Sequence, residues 1–434
     1  MKLAVVVQRY GADTSGGAEL HARYIAERLA RHAGVEVLTT CARDYVTWQN
    51  ELPAGESQVN GIRVRRFPVS QARRAEEFGR WSDVVFHHPH SVTDELHWLT
   101  SEGPASPTLI RHVRRVASDF DYFLFFSYRY YHAWHGARAV PEKAVLVPTA
   151  ERDPALGLSI FQPVFRSARA VMYNSPEERA LIEHLSGRPR QRPGVVVGVG
   201  SDIPERTQPW RFRKKFHISR RFAVCIGRID ENKGCRELFD YFGRYALLYP
   251  EGLDLVLIGS AHMPVPRHPR IRHLGFLSDA DKFDGLAAAD LLIIPSRYES
   301  LSMVTLEAWA LGKPVLVNGG CDVLRGQTVR ANGGLYYETF DEFAEALYRL
   351  DSAGPLGVVL GAHGREFFRR HYTWPVIERK YLDLFDRLAK APATKMDPLP
   401  GFLARRTRTQ APTAALVAAA PTGPVLGPGG ERPS

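Results

Sequence analysis

The chain lacks any apolar run approaching the roughly 20 residues needed to cross a bilayer as a helix, so no membrane-spanning helix is expected. It is poor in cysteine. Cys41, Cys225, Cys235 and Cys321 form no CxxC pair and no zinc spacing, which argues against a disulfide scaffold and suggests a reducing, cytoplasmic setting. The N-terminal Met1-Lys2-Leu3-Ala4-Val5-Val6-Val7-Gln8-Arg9 is followed by no cleavage site, and reads as a first strand rather than a signal peptide. The glycine loop after it lacks GxGxxG spacing, which disfavours nicotinamide chemistry. No segment matches a zinc finger, an RNP strand or a recognition helix, so no nucleic-acid partner is expected.

What remains is an ordinary globular composition, 44% hydrophobic and 24% charged over 434 residues, long enough for two domains with separate cores. The net charge is +10. An Arg-rich composition accounts for that, as does attraction to phosphate-bearing substrates or to an anionic membrane face.

Strand and helix signals alternate through the first half. Strands are expected at 3–8, 35–40, 62–67, 122–127, 144–148, 170–173 and 195–199. Between the first two, residues 18–32 carry Leu20, Ala22, Ile25, Ala26, Leu29 and Ala30 at the spacing of an amphipathic helix. A polar connector, 201–215, interrupts the alternation, which then restarts with strands at 222–226, 255–259, 271–274, 291–295, 314–318 and 335–337. Helices are expected at 235–248, 279–288, 302–311 and 341–350, and a last amphipathic helix at 376–390. Strands separated by helices imply right-handed crossovers and mostly parallel sheets. The expectation is an α/β protein with two tandem Rossmann-like, doubly wound domains facing a cleft. The first takes residues 1–205 together with the crossing-back helix 374–391, and the second takes 206–373. The Pro/Ala/Gly-rich tail 392–434 has too few large apolar residues to fold and is expected to be disordered.

Three segments fall at strand carboxyl ends, where open parallel sheets bind ligands. After the first strand, Gly16 and Gly17 open a helix and let backbone amides approach a phosphate or sugar. After the strand 222–226, Arg228 and Lys233 flank a turn in Gly227-Arg228-Ile229-Asp230-Glu231-Asn232-Lys233-Gly234, where a planar fork and a mobile point charge could converge on one anion. After the strand 291–295, Glu299 sits in a turn and Glu307 lies more than a turn into the next helix, with the amides of Leu301, Ser302, Met303 and Val304 between them. Spacing alone also fits a helix with one glutamate on its dipole and another in solvent.

Together these segments resemble the fourth family of retaining glycosyltransferases, which share the GT-B fold. The resemblance runs over roughly residues 1–390, is strongest at 222–337 and loosest at 41–119. It implies a sugar transfer from a nucleotide-diphosphate donor, UDP- or GDP-linked, to an acceptor hydroxyl, without a cofactor. The acceptor would be a carbohydrate, a lipid-linked sugar or a small molecule, in surface polysaccharide, glycolipid or secondary-metabolite synthesis. Work at the inner membrane face is compatible with the basic charge.

By the same resemblance, Arg228 and Lys233 would hold the diphosphate and Glu299 would sit by the transferred sugar. Glu307 would take the ribose hydroxyls, Leu301 to Val304 would reinforce the phosphate site, and Phe276 would lie near the base. Gly16 and Gly17 would close over the donor from the first domain. No metal is needed if the two cations neutralise the leaving group. The DxD matches Asp119-Phe120-Asp121 and Asp279-Ala280-Asp281 read as structural, the first preceding a strand and the second opening a helix. Retention is expected through front-face attack, with the leaving phosphate assisting deprotonation of the acceptor. One stretch departs from the family: Glu151-Arg152-Asp153 stands where relatives often carry His-Asp-Glu. Arg129, His132, Glu151 and Asp153 are therefore the candidates for acceptor or sugar contacts. A sugar-nucleotide epimerase of the same fold and a catalytically silent partner protein are the rival readings.

Overall fold

A computed structural model describes residues 1–14, 16–187, 193–352 and 355–392. Of the tail expected at 392–434, residues 393–434 lie outside the described residues.

Two open sheets carry the fold. The first contains β1 (Lys2–Val6), β2 (Gly34–Thr40), β3 (Gly55–Val59), β4 (Ile62–Phe67), β5 (Tyr122–Phe126), β6 (Ala144–Val147), β7 (Ala170–Tyr173) and β8 (Gly194–Val196), in the order β3-β4-β2-β1-β5-β6-β7-β8. All its pairings are parallel except β3 with β4. The second contains β9 (Phe222–Ile226), β10 (Asp254–Ile258), β11 (Ile271–His273), β12 (Leu291–Ile294), β13 (Val315–Asn318) and β14 (Gly334–Tyr337), in the order β11-β10-β9-β12-β13-β14. It is parallel throughout.

The central strands read as unbroken apolar runs because helices cover both faces of each sheet. Leu3 to Val6, Phe123 to Phe126 and Leu291 to Ile293 are fully buried. Most expected strands and helices fall within two residues of their observed bounds. The first strand ends at Val6 rather than at residue 8, and the first helix runs Gly17–Leu29. Three differences stand out. The edge strand β3 had no expectation. The polar connector contains a short helix, Pro209–Lys215, anchored by buried Phe212. No bounds were expected either for the helices Asp322–Ala331 and Pro355–His371, or for the six of the first half, Ala75–His87, Val92–Glu102, Pro107–Arg115, Tyr131–Ala139, Phe161–Ser167 and Pro176–Ser186.

The last helix, Trp374–Lys390, packs against the first sheet's side of the molecule. Phe385 stacks on Tyr122 at 5.3 Å, and Trp374 meets Tyr24 edge-on at 5.5 Å. Arg169 adds hydrogen bonds to the carbonyls of Leu388, Ala391 and Pro392 where the helix ends.

Candidate active site

Strand order reverses between β9 and β12 in the second sheet and between β1 and β5 in the first. Such switch points open a crevice at the carboxyl ends of the strands. The charged motifs emerge there.

After β9 the loop is pressed flat by close backbone approaches. A Cβ on Gly259 would fall 1.8 Å from the Gly227 carbonyl oxygen, and one on Gly234 would fall 2.1 Å from that of Pro295. Both glycines also have positive φ, 141° and 72°, which side-chain-bearing residues resist. Buried Ile229 anchors the middle of the loop by donating its N–H to Ser260 at 3.0 Å. The Asp230 carboxylate accepts from the Lys233 amide at 2.8 Å. This fixed turn brings the Lys233 ammonium to the Glu299 carboxylate at 2.7 Å. Burial works against the Lys233 charge, but Glu299, by charge and by hydrogen bond, and then Glu151 outweigh it and raise its pKa above the usual lysine value.

Glu299 belongs to the β12 exit loop. Ser302 caps the helix Met303–Ala310, its hydroxyl accepting from Thr305 N–H at 3.4 Å. Leu301 and Ser302 are buried, whereas Met303 and Val304 are half-buried at the helix mouth. The first amides of a helix have no intrahelical acceptor, so this end suits an anion. Glu307, in the body of the helix, is buried and accepts from the Ser201 hydroxyl at 2.9 Å and the Lys282 ammonium at 3.1 Å. Phe276 follows β11 with its ring exposed, beside the turn where Gly259 N–H meets Gly275 O at 2.8 Å.

The first sheet presents a matching edge. Gly16 (φ 138°) precedes the Gly17–Leu29 helix, and both glycines are exposed. Beneath them Arg9 pairs with Glu19 at 2.6 Å, both buried. Tyr45, beyond β2, accepts from Arg228 at 2.8 Å and lies under its guanidinium, 5.4 Å from ring centroid to carbon. Ser127 and Thr149, at the exits of β5 and β6, both sit at left-handed φ (62° and 49°), with their hydroxyls 3.0 Å apart. That conformation is costly for a β-branched residue, and such outliers cluster where the backbone serves a site. The fully buried Glu178 fixes the next residues by accepting the N–H groups of Ala150 and Asn174. Burial, opposed by those two donors, raises its pKa to about 8.

Glu151 follows on this braced segment, within electrostatic reach of Glu299 and Lys233. Its burial, and next the charge of Glu299, raise its pKa to about 7, with Lys233 acting in the opposite direction. Arg129 and Asp153 engage each other at 3.0 Å, and Arg129 also pairs with Glu102 at 2.9 Å. One expectation fails. His132 is wholly buried and its Nε2 bonds the Phe126 carbonyl at 2.9 Å, so it cannot touch an acceptor or sugar. The helix Tyr131–Ala139 turns that position inward against β5.

Ties across the cleft were not foreseen. Arg152 pairs with Asp322 at 2.8 Å, Arg330 with Glu177, and Asn174 donates to the Ser300 hydroxyl at 3.3 Å. Tyr45, Ser201, Lys282 and Glu178 also gave no sequence signal, since each acts through a partner distant along the chain. Of the two DxD segments, Asp121 accepts from the Lys2 amide at 2.7 Å, and Asp281 pairs with Lys215 at 2.7 Å while opening its helix. The four cysteines are free and buried. Among the described residues no helix is long and apolar enough to cross a membrane.

Residues 220–352 match the family model described as "Glycosyl transferases group 1". An uncharacterized glycosyltransferase of Methanocaldococcus jannaschii is 23% identical over 89% of this chain and 98% of its own length. A D-inositol 3-phosphate glycosyltransferase of Corynebacterium urealyticum is likewise 23% identical, over 89% of this chain and 94% of its own. Among solved structures, Anabaena HepE in complex with UDP-glucose superposes with a TM-score of 0.63 at 17% identity, covering 90% of this chain and 100% of that one. Residues 220–352 therefore belong to the group 1 glycosyltransferases, and the chain has a GT-B-like fold.

Proposed function

We propose that the protein transfers a sugar, with retention of anomeric configuration and without a metal, from a nucleotide-diphosphate donor to an acceptor hydroxyl. One observation carries the reading. The Lys233–Glu299 pair, at 2.7 Å, stands at the switch point of the second sheet with Arg228 on the same loop and a helix N-terminus alongside. Cleaving a sugar–phosphate bond builds positive charge at the anomeric carbon and negative charge on the diphosphate. Lys233, Arg228 and the amides of Leu301 to Val304 stabilise the second, and they are most effective in a dry cleft. Glu299 orients hydroxyls of the transferred sugar. Glu307, already accepting from Ser201 and Lys282, takes the ribose. The exposed ring of Phe276 supplies a face for the base.

A UDP- or GDP-linked sugar is the donor class. The Anabaena structure with UDP-glucose supports the first. The acceptor is a carbohydrate, a lipid-linked sugar or a small molecule, and an inositol phosphate is the acceptor class named for one full-length relative. The net charge of +10 suits acceptors at an anionic membrane leaflet.

The test is a thermal-shift screen against UDP-, GDP-, dTDP- and ADP-sugars, followed by release of the free nucleotide diphosphate in the presence of an acceptor panel. A donor at about 100 times its dissociation constant adds roughly 2.7 kcal/mol of stability. Conversion of the donor with no acceptor present would identify an epimerase. Stabilisation without any turnover would identify a silent partner.

A further inference from the structure

We propose that Tyr45 is a positioning residue for the transfer: from the first domain its hydroxyl holds the Arg228 guanidinium in the orientation that receives the leaving diphosphate. The inference rests on the reading above, in which Arg228 takes up charge on that diphosphate.

Arg228 cannot aim itself. Its side chain is 41% exposed, and within its own domain it meets only Asp230, Nε to Oδ2 at 3.4 Å, among the described contacts. A long side chain held so loosely keeps much of its rotamer freedom. The second anchor comes from across the cleft, where Nη1 donates to the Tyr45 hydroxyl at 2.8 Å. With Nε on Asp230 and Nη1 on Tyr45 the plane of the fork is fixed, and Nη2 is left for a phosphate oxygen. The other oxygen of Asp230 accepts the Lys233 amide at 2.8 Å, so one carboxylate relates both cations of the loop.

The first domain is built to present this hydroxyl. Tyr45 is 39% exposed, yet the chain on either side of it is tightly held. Asp44 accepts the amides of Val46 and Thr47 at 2.6 and 2.8 Å, closing a turn around Tyr45. Trp48 sits at a left-handed φ of 56°, fully buried, with its indole N–H on the Glu102 carbonyl at 2.7 Å. Such a conformation persists in a bulky residue only where its surroundings impose it. Arg73 donates to the Tyr45 carbonyl at 3.1 Å. From β1, Arg9 donates to the Arg43 carbonyl at 2.8 Å and brings its guanidinium carbon 5.6 Å from the Tyr45 ring centroid. Arg9 is itself set by Glu19, against which Gly16 packs so closely that a Cβ there would fall 2.2 Å from the carboxylate. A line of contacts thus runs from the glycine loop through Arg9 and Tyr45 to Arg228.

The experiment uses the full chain and whichever of the UDP-, GDP-, dTDP- and ADP-sugars gives the largest thermal shift, and it compares Tyr45→Phe, Arg228→Ala and the double variant. Phenylalanine keeps the ring and removes only the hydroxyl. Tyr45→Phe should melt as wild type does and retain the thermal shift with donor, while kcat falls about 10- to 100-fold, the cost of a misaimed group. In the Arg228→Ala background the same change should alter kcat by less than threefold, because the group that Tyr45 aims is gone. A hydroxyl that merely supported its own loop would cost the same in both backgrounds. Equal losses in the two backgrounds, or a Tyr45→Phe kcat within threefold of wild type, would overturn the role of Tyr45 alone. Arg228→Ala at wild-type turnover, or a wild type with neither thermal shift nor turnover on all four donors, would overturn the reading beneath it as well.

Discussion

Lys233→Ala separates catalysis from stability at this site. The ammonium is 29% exposed and its partner Glu299 14% exposed, so the pair lies between a surface and a buried ion pair. Exposed pairs are worth about 0–1 kcal/mol, and breaking a fully buried one costs about 3–5 kcal/mol. Removing the lysine leaves Glu299 and Glu151 facing each other without a cation, and an intermediate cost of about 1–2 kcal/mol follows. Folded domains hold about 5–15 kcal/mol in reserve, so the variant remains almost wholly folded at 25 °C. Catalysis should suffer more. A fixed donor aimed at charge that develops in the transition state contributes roughly 2.7–4 kcal/mol, or 10²–10³ in rate. The assay is nucleotide diphosphate release by the two proteins at equal concentration, with melting curves run alongside. The expected result is a melting temperature a few degrees lower and turnover at least 100-fold slower. Turnover within threefold of wild type would refute the assignment of Lys233 to the leaving group.

Glu299→Ala should lose transfer to a similar degree while leaving the circular dichroism spectrum unchanged. Glu307→Gln removes a charged acceptor that two donors already use, so donor affinity should weaken about tenfold, or about 1.4 kcal/mol, as read by calorimetry with the nucleotide diphosphate. Gly234→Ala forces a side chain into a left-handed position against the Pro295 carbonyl. Beyond the roughly 1–2 kcal/mol of backbone cost it must displace the Glu299 loop, so both stability and donor binding should fall in the same sample. Arg152→Ala breaks a cross-cleft pair whose side chains are 75% and 44% exposed. Its melting temperature should stay within about 2 °C of wild type, since such pairs contribute at most about 1 kcal/mol.

Local sequence revealed what burial dictates. β9 and β12 are five- and four-residue apolar runs buried between helices, and their expected bounds differ little from those observed. β3 escaped because it is an edge strand, Gly55-Glu56-Ser57-Gln58-Val59, with no fully buried residue and hence no apolar pattern. The helix Ala75–His87 buries only Val85, and it falls where the chain was hardest to read. In the connector, one buried Phe212 organises a helix among charges that suggested coil. His132 shows the limit for side-chain direction. Aromatic neighbours stand on either side of it, and only packing against β5 decides which of them turns inward.

The site divides along the same physical line. Lys233 and Glu299 lie 66 residues apart, yet strand–loop–helix grammar puts both at carboxyl ends, and the switch point makes those ends adjacent. Arg228 and Tyr45 are separated by 183 positions and by the cleft. Their contact depends on how two sheets are oriented by the connector and by the returning helix Trp374–Lys390, which no short spacing encodes. Glu151 belongs to this second class. In the sequence it is only one of four candidates for an acceptor or sugar contact. Burial, and next the Glu299 charge from the far sheet, raise its pKa to about 7, and the second of these causes has no trace in the local sequence.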